Sequence, residues 1–196
     1  FYPGYMYVLD ENLDKVRAEE ATNKAARDKE GFDPGAIIPG VQAQWIQPLV
    51  IRGNQGDRVK VKLSNKLEGG EDVSLHIHGS ATVVSATGAA ATTTNPDTIV
   101  AKDETGEYEW YIHPSTQEGV RQFHTYSNDR ELTVMGLFGA FVVEPRGSSY
   151  LEPLGTGDPT PATSGWQTII KNGTGPDFRE FVLIYHEVGD EAFRPL

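Results

Sequence analysis

His76-Ile77-His78-Gly79 stands where a strand-like run meets a loop. Side chains on a strand alternate between faces. In Ser74-Leu75-His76-Ile77-His78 both imidazoles therefore fall on one side while Leu75 and Ile77 fall on the other. Neutral imidazole is the side chain proteins use most often to hold copper, zinc or iron, and two of them on one strand remove much of the entropy of assembling a site. Gly79 lets the backbone turn away directly after them. The competing reading is two polar residues on a half-exposed strand, because a short motif on its own matches by chance. Downstream, Gly119-Val120-Arg121-Gln122-Phe123-His124-Thr125-Tyr126 sets His124 and Tyr126 on a shared face in the same way.

The second segment runs on to Met135-Gly136-Leu137-Phe138-Gly139-Ala140-Phe141-Val142-Val143-Glu144-Pro145. Upstream lie Ile38-Pro39-Gly40 and the run Gly56-Asp57-Arg58-Val59-Lys60-Val61-Lys62-Leu63-Ser64-Asn65-Lys66-Leu67. Taken together, residues 36 to 145 resemble the first cupredoxin domain of the multicopper oxidases, the family of laccases and ceruloplasmin. That domain carries a His-x-His-Gly motif, then an aromatic-His-x-His motif, then a Gly-Leu-x-Gly-x-Phe-Val-Val strand. The combination, in this order and at this separation, is far more specific than any single motif.

The resemblance implies copper as the cofactor and a role for each matching residue. His76 corresponds to a ligand of the type 2 copper, and His78 to a ligand of one of the paired type 3 coppers. His124 corresponds to a further type 3 ligand, and Tyr126 stands where the family has the fourth histidine. A phenol with pKa about 10 is a poor ligand unless a metal lowers that value, so Tyr126 is an oxygen ligand, a redox-active phenol or a packed residue. Asp97, in Asn95-Pro96-Asp97, lies where several family members place an acidic residue for proton delivery, although an Asx turn accounts for it more simply. His113, before a proline, and His186 fall outside the motifs and are left out of the site.

With 196 residues the chain can bury one sizeable core. Its net charge of -11 argues against nucleic acid or an anionic membrane surface as partner, and no apolar run is long enough to span a bilayer. Cysteine is absent. A blue type 1 copper centre needs a Cys thiolate with two His, so this chain cannot build the port through which such oxidases take electrons from their substrate. Three histidines are also too few for a trinuclear cluster. The expected partners are therefore the remaining cupredoxin domains, of the same protein or another chain, with dioxygen and a reducing small molecule or metal ion. No turnover is expected from this chain alone, and the family implies a periplasmic or extracellular, secreted setting. The alternatives are a non-catalytic cupredoxin-like module, used for assembly or for holding a single metal, and a mononuclear copper oxidoreductase.

The elements that must position these residues read as an all-β antiparallel sandwich, for which the family resemblance implies the Greek-key cupredoxin form. Val59, Val61 and Leu63 alternate with Arg58, Lys60 and Lys62, and Tyr108, Trp110 and Ile112 alternate likewise, each pattern marking a strand with one buried face. Residues 1–35 read as an N-terminal arm, a solvated helix or an extended segment, because residues 11 to 30 hold strong helix formers with a thin apolar side. Residues 36–145 form the expected cupredoxin domain and 146–165 a Gly-, Pro-, Ser- and Thr-rich linker. Residues 166–196 hold a further strand-like run, Phe181-Val182-Leu183-Ile184-Tyr185, which resembles the opening strand of the second cupredoxin domain of that family and implies the start of a second, incomplete cupredoxin domain.

Overall fold

The computed structural model describes residues 4–29, 44–79, 82–85, 99–127, 129–151, 159–160 and 165–187. Alternation decides the first pairing. In β2 (Arg58–Ser64) the odd positions are half-buried and the even ones exposed, and its partner β5 (Thr105–Tyr111) buries Tyr108 and Trp110. The antiparallel register sets Val59 opposite Trp110 and Val61 opposite Tyr108, so the two apolar rows share one face. The other edge of β5 pairs with β4 (Thr82–Ser85), which completes a sheet ordered β2-β5-β4.

The second sheet is ordered β1-β7-β6-β3, from β1 (Leu49–Asn54), β7 (Phe138–Glu144), β6 (Gly119–His124) and β3 (His76–Ile77). Its pairs are antiparallel except β1 with β7, which run parallel. Leu49, Ile77, Phe123, Phe141 and Val143 from this sheet meet Tyr108, Trp110 and Ile112 in one core, against which Val59, Val61 and Leu63 also pack. This is the expected curled β-sandwich, and apolar burial at roughly 25 cal/mol per Å² is what holds its two sheets together. Every residue of β7 is buried, which explains its unbroken Ala-Phe-Val-Val run. Phe141 and Val143 face the core, while Ala140 and Val142 join Val50 and Val182 in a second cluster on the outer side.

That outer cover comes from the C-terminal segment. The strands β8 (Ser149–Leu151), β9 (Pro159–Thr160), β10 (Gln167–Lys171) and β11 (Phe178–Phe181) form a small sheet ordered β11-β10-β8-β9. Two short strands thus fall within the segment 146–165. The sheet is tied to the sandwich by Arg52, whose side chain is fully buried and lies 2.7 Å from Glu180 and 3.8 Å from Glu144. Arg52 also donates to the Gly165 carbonyl at 3.0 Å. Burial first, then the hydrogen bond and charge of Glu180, push the Glu144 carboxyl up to about 8, with Arg52 acting in the opposite direction. Leu183 and Tyr185, just beyond β11, remain 69% and 91% exposed.

At the other end the expected helix is present as α1 (Leu13–Arg27). It is not solvated all round. Val16, Glu19 and Ala26 are buried, and the Glu19 carboxylate accepts the backbone N–H groups of Gln44, Trp45 and Ile46 at 3.1, 2.9 and 3.1 Å. A carboxylate receiving donors ahead of β1 docks this helix where an apolar stripe is lacking. Before α1, Tyr5 donates its N–H to the Met135 carbonyl and Tyr7 is buried in the main core. Among the described residues no helix is long and apolar enough to cross a membrane.

Candidate metal centre

The β3–β6 ladder contains two pairs, His76 opposite His124 and Ile77 opposite Phe123. Residues directly opposite in an antiparallel ladder share a face, so the pleat that sends Ile77 and Phe123 into the core sends both histidines out of it. His78 follows on the same side, its N–H held by the Gln122 carbonyl at 2.9 Å, and Gly79 turns the chain away at φ +90°. A side chain at that φ would be strained, which is why glycine suits the position.

All four expected residues come together. The His78 and His124 rings stack with centroids 4.8 Å apart, His76 stands edge-on to His78 at 5.1 Å, and His76 and His124 are 6.3 Å apart. Tyr126 packs at 4.2 Å from the His76 ring and 4.9 Å from that of His124. His124 is buried, His76 and Tyr126 are half-buried and His78 is exposed, so the group opens outward from the end of the sandwich. Two histidines lie elsewhere. His113 bonds Ser115 Oγ at 2.6 Å in an exposed turn, and His186 packs against Phe138. Asp97 lies outside the described residues.

His124 Nδ1 is 2.6 Å from the Thr125 carbonyl oxygen. A carbonyl can only accept, so Nδ1 carries the proton and Nε2 presents its lone pair. With His124 neutral, His78 Nε2, 2.6 Å away, is the donor to that lone pair. This is the arrangement in which an imidazole with one nitrogen anchored to the protein offers the other to a metal. The donor set, imidazole nitrogens with a phenol oxygen and no thiolate, fits copper. Among the described residues, however, no three His, Cys, Asp or Glu side chains converge on one point, so this face does not by itself close round a single ion.

Sequence reasoning missed the groups that hold this face in place. Ser74, Thr125 and Ser127 are buried polar residues lying between or beside the motif histidines, and Tyr7 sits in the segment read as an arm. Their one local signal is a hydroxyl two residues before His76 and another directly after His124.

A family model described as multicopper oxidase matches residues 29–148, more than half of the chain. No curated protein matches. Among solved structures, a multi-copper oxidase from Pseudomonas thermotolerans is 25% identical, with a TM-score of 0.40 over 61% of this chain and 27% of that one. The McoA multicopper oxidase 2F4 variant from Aquifex aeolicus is 26% identical, with a TM-score of 0.35 over 47% and 21%. A bacterial laccase-like multi-copper oxidase, CueO, from Ochrobactrum sp. is 20% identical, with a TM-score of 0.39 over 51% and 21%. The chain thus spans well under half the length of each of these structures.

Proposed function

Because the chain belongs to the multicopper oxidase family, whose cofactor is copper, we propose that it is the N-terminal cupredoxin domain of such an oxidase and supplies part of a type 2/type 3 copper cluster. The carrying observation is the gathering of His76, His78, His124 and Tyr126 on one outward-opening face. His76 would hold the type 2 copper, and His78 with His124 the type 3 coppers, with Tyr126 as an oxygen neighbour. Bound copper would supply the electron-by-electron reduction of dioxygen to water, coupled to oxidation of a reducing small molecule or metal ion. The chain's own contribution is orientation: the Thr125 carbonyl aims His124, and the ladder to β6 sets the spacing between His76 and His124.

Imidazoles from another cupredoxin domain, in the rest of the protein or in a second chain, would complete the cluster, and residues 166–196 would begin such a domain after the segment 146–165. Residues 1–35 would form an arm preceding the domain at 36–145. A periplasmic or extracellular setting follows from the family. Tyr126 in place of a fourth imidazole, together with the absence of cysteine, supports a second reading, a non-catalytic cupredoxin-like module used for assembly or for holding one metal. Copper titration followed by paramagnetic resonance tests the site. Nitrogen hyperfine coupling is expected from the wild type, and most copper should be lost from the His76→Ala/His78→Ala double variant. Unchanged stoichiometry and spectrum in that variant would remove the site assignment. Oxygen consumption by the complete assembly, absent from this chain alone, separates oxidase from module.

A further inference from the structure

The β3–β6 ladder ends at the His76–His124 pair, and beyond it side-chain hydroxyls take over from backbone pairing. Ser74 N–H donates to Thr125 Oγ1 at 3.0 Å, and Tyr126 N–H donates to Ser74 Oγ at 2.8 Å. These reciprocal bonds are sealed from water: Ser74 is 1% exposed and Thr125 0%. The network is braced from both sides. Tyr7 donates its phenol hydroxyl to the Ser74 carbonyl at 2.5 Å while its ring packs edge-on against Phe123, and Ser127 Oγ lies 2.8 Å from Thr125 Oγ1 and donates to the Asp72 carbonyl.

The Tyr126 N–H and the Thr125 carbonyl belong to one peptide unit. That unit is planar, with its N–H and C=O pointing in opposite directions, so fixing one end fixes the other. Ser74 Oγ grips the N–H end, and the C=O end accepts the Nδ1 proton of His124 at 2.6 Å. We infer that Ser74 is a positioning residue that acts through the Thr125–Tyr126 peptide to hold His124 as its Nδ1–H tautomer, with Nε2 aimed into the metal face. A histidine on the neighbouring strand is thus oriented by a serine acting through one intervening peptide unit.

Nitrogen-15 correlation spectra of the imidazoles in the metal-free protein test this without copper. Wild type should show His124 with its proton on Nδ1, and Ser74→Ala should show a mixture of both tautomers with a shifted Tyr126 amide. Ser74→Thr, which keeps the hydroxyl, should restore the wild-type pattern. Copper affinity gives the second readout, with a loss of roughly tenfold expected in Ser74→Ala, as for other groups that orient metal-bound histidines. That arm rests on the proposed function, whereas the tautomer arm does not. Failure of the wild type to bind copper would overturn the function and leave the tautomer result standing. A wild-type His124 protonated on Nε2, or a Ser74→Ala protein whose His124 signals are unchanged, would overturn the inference. Loss of folding in both Ser74 variants would also overturn it, by assigning the serine a purely structural role.

Discussion

His78 Nε2 and His124 Nε2 face each other across 2.6 Å, and with His124 neutral and its proton on Nδ1 the hydrogen bond between them is donated by His78. Binding a metal through Nε2 requires that proton to leave the nitrogen. Loading with diamagnetic zinc should therefore move the His78 proton to Nδ1 while His124 is unchanged, as read by nitrogen-15 imidazole shifts. A His78 that keeps its Nε2 proton in the loaded protein would show that it is not an Nε2 ligand.

The second expectation concerns colour. A blue copper centre requires a thiolate, and this chain has no cysteine. Copper bound to the isolated chain should give weak ligand-field absorption and no intense thiolate-to-copper band in the visible spectrum. A strong blue band from this polypeptide, with no other protein present, would contradict imidazole and phenol coordination.

The third concerns pH. Glu144, beside Glu180 and Arg52, has its carboxyl raised from 4.5 to about 8 by burial and by Glu180. Between those values the folded chain binds a proton that the unfolded chain does not, so this group's contribution to stability falls as pH rises through the window. Glu144→Gln holds the neutral form permanently and should flatten the dependence. Denaturation midpoints at a series of pH values from about 5 to 9 check this, and parallel curves for the two proteins would refute it.

The fourth concerns the N-terminal helix. Glu19 accepts three backbone donors, from Gln44, Trp45 and Ile46. Glu19→Gln keeps the size but turns an amide NH2 towards N–H groups, leaving donors unsatisfied at a cost of about 1–3 kcal/mol. Chemical denaturation measures it. A change below a few tenths would mean that α1 is docked by its apolar contacts alone.

Much of the core was legible because its signal is local. The alternation in Arg58–Ser64 marks a buried row, and the structure pairs that row with Tyr108 and Trp110. His76 and His78 declare a common face by the same period-two rule, and the gathering of His124 and Tyr126 with them follows from the ladder. The helix at 13–27 was legible from its composition, but its buried face was not, because a carboxylate rather than an apolar stripe docks it. Polar ties between distant residues leave no pattern in sequence. Arg52 finds Glu180 across 128 positions, and the hydroxyls of Ser74 and Thr125 resemble any other small polar residues until the fold brings them together.

Leu49 lies against Gly139 in the parallel pair of β1 and β7, and Tyr7 reaches Ser74 across 67 positions. Contacts so far apart along the chain form only once the entropy of closing long loops has been overcome, and folding slows accordingly. The histidines of β3 and β6 are gathered only when those two strands pair. Before that moment these three imidazoles are spread along an open coil, where any ion they capture stabilises the unfolded chain at the expense of the folded one. Timing of metal delivery would then matter: copper added before the two sheets close is expected to retard folding, and copper added afterwards to meet a face already built.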